Sequence, residues 1–178
     1  MASPLVFVYQ HAFAPAWFDA RQIFVALNEA AQAWLRCGVP SRVLPWPSEV
    51  ELRDSAILVQ WSDEGSRRNF GLANVGERTL SLGPAAFELL RTRNRAFDSR
   101  QTLQMVISHE MGHLFGLMSH SRRCVDVTSY YSNGKGELCT IRAGAALQPG
   151  VEYRSLMPTA GDIQRCRIAN SKPAIAQR

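Results

Sequence analysis

The segment 98–116, DSRQTLQMVISHEMGHLFG, constrains the fold more than any other stretch, because it asks one helix to be both apolar and chemically armed. Asp98 suits a helix N-cap, and Gln101 follows three positions on as its capping-box partner. Leu103, Val106, Ile107, Met111 and Leu114 recur at three- and four-residue steps and predict a core-facing stripe. His109 and His113 stand four apart on one face, about 6 Å from each other, so both imidazoles can reach one ion at roughly 2.0 to 2.1 Å. Glu110 projects about 100° round the axis from His109, beside such an ion and not on it, where it can accept a proton from water. With only four histidines in the chain, this pentapeptide arises by chance in well under roughly one such sequence in a hundred.

The rest of the chain gives that helix somewhere to sit. A length of 178 residues suits one domain, residues 1–178, with a strand-and-helix upper part (1–116) and a loop-rich lower part (117–178). A hydrophobic content of 46% with 20% charge places it among globular proteins. No run approaches the roughly 18 apolar residues of a membrane span, so no membrane partner is expected. The opening MASPLVFVYQ lacks a basic leader and reads as a first strand.

Residues 15–38 place Ile23, Leu27, Ala30, Ala31 and Trp34 on one helical face, closed by Gly38. SRVLPW (41–46) reads as an edge segment and SAILVQWSD (55–63) as a buried strand. Residues 69–83 carry a hairpin or bulged strand near a sheet edge, and GPAAFELLRTR (83–93) a short helix or irregular link. Beyond Gly116 regular patterning stops until DIQRCRIAN (162–170), a short terminal helix.

The net charge is +5, nearly all from arginine, since the only lysines are Lys135 and Lys172. The arginines are scattered instead of forming a stripe, which argues against nucleic acid as a partner. Cys37, Cys124, Cys139 and Cys166 show no C-x-x-C spacing, leaving disulfides or buried thiols. Cys124 and Cys139 bracket a polar loop with little apolar content to hold it, and are the candidate disulfide. A secreted or extracytoplasmic location is expected, though nothing in the sequence itself decides it. His11, at the end of the first strand, reads as an ordinary surface or core histidine.

Gly116 comes three residues after His113, where a helix turning its chain back towards an ion needs tolerance of positive φ, and His120 follows. Far downstream stands YRSLMPTAG, with Met157 before a proline. Together these residues resemble the metzincin clan of zinc endopeptidases, whose pattern is H-E-x-x-H-x-x-G-x-x-H or D followed by a methionine turn. The wording H-E-x-G-H-x-x-G-L and the SLMP turn are close to the matrixin-like or snapalysin-like branch. The resemblance covers the motif helix, the Met157 turn and, loosely, the order of elements before them.

The resemblance implies an α+β metzincin-like catalytic domain: a mixed twisted sheet, two long helices, a loop-rich C-terminal subdomain and a short terminal helix. It implies zinc as cofactor, Glu110 as general base, and Met157 as a packed floor beneath the histidines. The third ligand departs from the pattern, because the family's position is Ser119 here and His120 lies one residue later. Serine is a poor neutral zinc ligand, and GLMSHS looks like the family's G-L-x-H-S with one residue added, which a loop past a helix end can absorb. His120 is therefore the expected ligand, with Asp126, Asp162 or no third ligand as rivals.

The implied function is hydrolysis of peptide bonds by a zinc-dependent endopeptidase; the alternative is an inactive metzincin-like binding domain with an incomplete metal site. A retired enzyme has no need of Glu110. The astacin-like tyrosine position is Thr159 here, and Tyr130, Tyr131 and Tyr153 read as packing or solvent-facing residues. A polypeptide substrate is expected to lie extended along a sheet edge, with residues 77–84 as that edge and residues 158–166 lining the pocket past the scissile bond. The protein is expected to be a monomer.

Overall fold

The computed structural model describes residues 4–46, 56–93, 98–130, 135–141, 145–148 and 151–171. Five strands, β1 (Leu5–Tyr9), β2 (Ser41–Pro45), β3 (Ala56–Trp61), β4 (Gly71–Asn74) and β5 (Thr79–Leu82), form one sheet in the order β2-β1-β3-β5-β4. Every pair is parallel except β4 with β5. The fold is thus mixed α/β and mostly parallel, more so than the expected α+β class, because helix α1 (Ala20–Trp34) serves as the crossover from β1 to β2. Helices α2 (Pro84–Arg93), α3 (Ser99–Leu114) and α4 (Ala160–Ser171) follow.

Register explains the core. Tyr9, Val59 and Leu80 lie abreast across β1, β3 and β5, as do Phe7 with Ile57 and Trp61 with Leu82. This row joins Ile23, Leu27, Ala30, Ala31 and Trp34 of α1, the stripe expected from the sequence, in one buried cluster. Each large side chain so buried contributes about 2 kcal/mol. The α1 start is capped by Asp19, whose carboxylate accepts from the Arg21 and Gln22 N–H groups.

Helix α3 is enclosed on nearly every side: Leu103 and every residue from Met105 to Gly112 are buried, with α1 on one flank and β4 on another. The Trp34 indole N–H donates to the Ser108 carbonyl at 3.0 Å, tying the end of α1 to the turn that carries His109. Asp98 caps α3 through the Arg100 and Gln101 N–H groups.

The expected sheet edge requires correction. Residues 79–82 form β5, an interior strand between β3 and β4, and the edge next to α3 is β4. The hairpin expected over 69–83 forms, but its first arm, β4, takes the outer place and the second, β5, lies inside. SRVLPW does supply the opposite edge, as β2. Two disulfides are present, Cys124–Cys139 as expected and Cys37–Cys166, which joins the end of the α1 region to α4. Among the described residues no helix is long and apolar enough to cross a membrane.

Candidate metal centre

The last two turns of α3 carry His109, Glu110 and His113, and the chain then reverses at Gly116, whose φ of +102° disfavours any side chain. The Leu117 N–H bonds back to the Gly112 carbonyl at 3.0 Å, completing the helix end. The loop of 117–120 returns His120 to the helix, so that one nitrogen from each of His109, His113 and His120 lies within 4.8 Å of the others. His109 Nε2 is 3.3 Å from His113 Nε2 and 3.2 Å from His120 Nε2.

These distances identify what the cluster can hold. His109 Nδ1 lies 2.7 Å from the Val127 carbonyl, and His113 Nδ1 lies 2.6 Å from the Leu117 carbonyl. A carbonyl only accepts, so both Nδ1 atoms carry the proton and both Nε2 atoms present bare lone pairs to each other. Lone pairs facing across 3.3 Å repel unless a cation lies between them. In a tetrahedral site with bonds of about 2.0 Å, ligand atoms stand about 3.3 Å apart, so the donor set fits a divalent metal. The two carbonyls fix ring orientation as outer partners do in metal sites.

Electrostatics agree with neutral imidazoles. Burial, then the nearby His113, holds His109 down at about 3; burial, then His113, Arg165 and Arg154, holds His120 at about 4; burial also lowers His113. Glu110 is pushed up to about 7, chiefly by burial, against the opposing pull of the Ala73 N–H and Arg154. Its Oε2 accepts that N–H at 2.8 Å, linking the carboxylate to edge strand β4. Gly71 permits the approach, since a Cβ there would meet Val106 Cγ1 at 2.5 Å and Glu110 Cγ at 2.9 Å.

Asp126 and Asp162, the rival ligands, are placed elsewhere and do structural work. Asp162 accepts from the Val127 N–H at 2.9 Å, the Thr159 N–H at 3.0 Å and the Thr128 hydroxyl. Asp126 accepts from the Ser121 hydroxyl at 2.6 Å and from that of Thr159. They fix the loop whose Val127 carbonyl orients His109. Ser119 gives its carbonyl to the Arg165 guanidinium. Met157 lies under α3, its Sδ 3.5 Å from Ser108 Oγ and 3.6 Å from Gln104 Nε2.

The Tyr130 ring stands edge-on to His120 at 4.9 Å, while the Tyr153 hydroxyl accepts from the Gln148 N–H at 3.0 Å; Tyr131 lies outside the described residues. His11 is exposed and shares a hydrogen bond with the Tyr9 hydroxyl.

Two cavities flank Glu110. One, of about 520 Å³, is walled by Phe70, by Leu89 and Leu90 of α2, and by Met105 and Val106 of α3. The other, of about 730 Å³, runs along β4 past all three histidines. Neither is lined by residues 158–166, although Arg154 just before them lines the smaller. Helix α2 walls the smaller cavity, and its weak apolar periodicity gave no hint of that. Arg154, near His109, Glu110 and His120, also escaped notice, because nothing local in the sequence links it to α3.

No protein-family model matches the sequence, and no curated protein matches it. Among solved structures the chain is similar to archaemetzincin from Methanopyrus kandleri, with a TM-score of 0.58 at 14% identity over 96% of this chain and 97% of that one. This likeness is one of fold and spans sheet and helices together. A zinc-dependent peptidase from Methanocorpusculum labreanum aligns over 70% of this chain and 87% of its own, at 12% identity and a TM-score of 0.41.

Proposed function

We propose that the chain is a zinc-dependent endopeptidase of the metzincin type, in which His109, His113 and His120 hold the metal and Glu110 is the general base. The observation that carries this reading is the inward-facing Nε2 atoms at tetrahedral spacing, with the Nδ1 protons of His109 and His113 committed to carbonyls. The fold shared with archaemetzincin supports it. The matrixin-like or snapalysin-like branch rests on SLMP and on Thr159 in place of tyrosine.

Zinc, when bound, supplies a Lewis acid that polarises a carbonyl and acidifies water. Glu110 takes the proton from water at the carboxylate oxygen not engaged by Ala73, and returns it to the leaving amine. Burial raises the Glu110 carboxyl in the metal-free protein, which strengthens it as a base. The free edge of β4 offers main-chain groups to an extended polypeptide, and the flanking cavities receive its side chains. Met157 supports α3 from below without contributing a ligand.

Two disulfides suit an oxidising compartment, which supports secretion or another extracytoplasmic site. A retired binding domain would have no need of a carboxylate buried beside three histidines, whose desolvation costs stability, so Glu110 favours the active reading. Metal analysis should give one zinc per chain, and Glu110→Gln should retain it while losing peptide cleavage. Undiminished cleavage by that variant contradicts the mechanism.

A further inference from the structure

The turn before β4 carries two consecutive arginines with left-handed backbones, Arg67 at φ 52° and Arg68 at φ 61°. Backbone bonds hold it there, with Arg67 N–H to the Glu64 carbonyl at 3.0 Å and Arg68 N–H to the Asp63 carbonyl at 2.8 Å. Glycine or asparagine would occupy such positions more comfortably, so the backbone does not account for arginine at either. Their side chains part company: Arg67 lines the larger cavity along the histidines, and Arg68 lines the smaller one beside α2. Arg154 joins Arg68 in that second wall.

Charge in the cleft is one-sided. Among the described residues, Glu110 is the only carboxylate lining either cavity, against three arginines. Glu152 pairs with Arg154 at 2.7 Å but lies in neither wall. Arg68 makes no side-chain ion pair among the described residues, and both it and Arg67 are exposed.

Resting on the endopeptidase reading, we infer that Arg67 and Arg68 select acidic polypeptide segments, the Arg68 cavity taking a glutamate side chain next to the cleaved bond. The apolar wall of Phe70, Leu89 and Met105 covers the glutamate methylenes, and the Arg68 guanidinium meets its carboxylate, while Arg154 stays paired with Glu152. Aspartate is too short to use both. A peptide fits better than a nucleic acid, because the cleft floor is a strand edge that pairs with an extended main chain.

The test uses zinc-loaded protein carrying Glu110→Gln and fluorescent peptides differing only by Glu or Gln at the positions flanking the cleaved bond. The Glu peptide should bind about three- to tenfold more tightly at low salt, with the preference shrinking as salt rises. Arg68→Asn, which suits a left-handed backbone, should remove most of the preference, and Arg68→Lys should keep it. Equal binding of the two peptides, or a preference that survives Arg67→Asn combined with Arg68→Asn, overturns the inference. Tighter binding of a single-stranded oligonucleotide than of the Glu peptide overturns it in favour of nucleic acid. Cleavage by the unsubstituted protein separates the two claims: cleavage without acidic preference removes only this inference, and acidic preference without cleavage removes only the peptidase reading.

Discussion

The chain up to Gly116 and the chain beyond it are ordered by different forces. In the first, the sheet, α1 and α3 close round an apolar cluster that includes Phe7, Leu27, Trp34, Val59 and Ile107. In the second, the buried set includes Ser121, Asp126, Thr128, Ser129 and Asp162, held by hydrogen bonds and the Cys124–Cys139 disulfide. The histidine cluster straddles this boundary. Helical geometry spaces His109 and His113 without help, while His120 and the carbonyl that orients His109 depend on the polar loop region. Damage on the two sides should therefore have different consequences.

The largest effect should come from breaking the bond between the regions. Cys37→Ser with Cys166→Ser opens a bridge across a sequence separation of 129 and should cost about 4 to 5 kcal/mol in urea unfolding. A loss below about 1 kcal/mol would mean that packing alone docks α4.

Asp162→Ala should cost about 3 to 4 kcal/mol, because it orphans the buried Val127 and Thr128 donors and the part-buried Thr159 N–H. It should also weaken zinc binding by releasing the Val127 carbonyl from its position behind His109. Leu27→Ala should cost a similar 2 to 5 kcal/mol yet leave zinc affinity intact. Equal effects on zinc from both variants would erase the distinction between the regions.

Acid should destabilise the metal-free protein. The histidines have lowered pKa values, so below about 6.5 the unfolded state takes protons first and stability falls as pH drops. Glu110 acts oppositely: raised to about 7, it favours the folded state on acidification from 7 down to 4.5, and adds nothing further below that. Three histidines outweigh one carboxyl, so the urea midpoint should decline as pH falls below 6.5. A flat profile would show that the imidazoles are not desolvated as described.

What could be read from the sequence follows the same division. All five apolar positions expected in α1 are buried, and the α3 cap, the Gly116 reversal and the β4–β5 hairpin were legible, because local periodicity and turn chemistry set them. Cys124–Cys139 was legible as a loop closure, whereas Cys37–Cys166 was not, since no local pattern links residues 129 apart. Which strand forms the edge depends on sheet order, which short strands do not announce. The carboxylates of Asp126 and Asp162 looked like spare ligands because their partners come from distant loops. The Arg68 cavity stayed hidden for the same reason: α2, α3 and the turn before β4 meet only in three dimensions.

Gly71→Ala should have the smallest effect of these, about 1 to 3 kcal/mol by pushing β4 off Val106 and Glu110, seen as a lowered unfolding temperature with zinc retained. The most direct test of the central claim, that one added loop residue leaves the metal cluster complete, is zinc affinity measured by chelator competition for His120→Ala and Ser119→Ala. His120→Ala should lose about 100-fold or more, and Ser119→Ala should match the unsubstituted protein. Unchanged affinity in His120→Ala, or a greater loss in Ser119→Ala, would contradict the account.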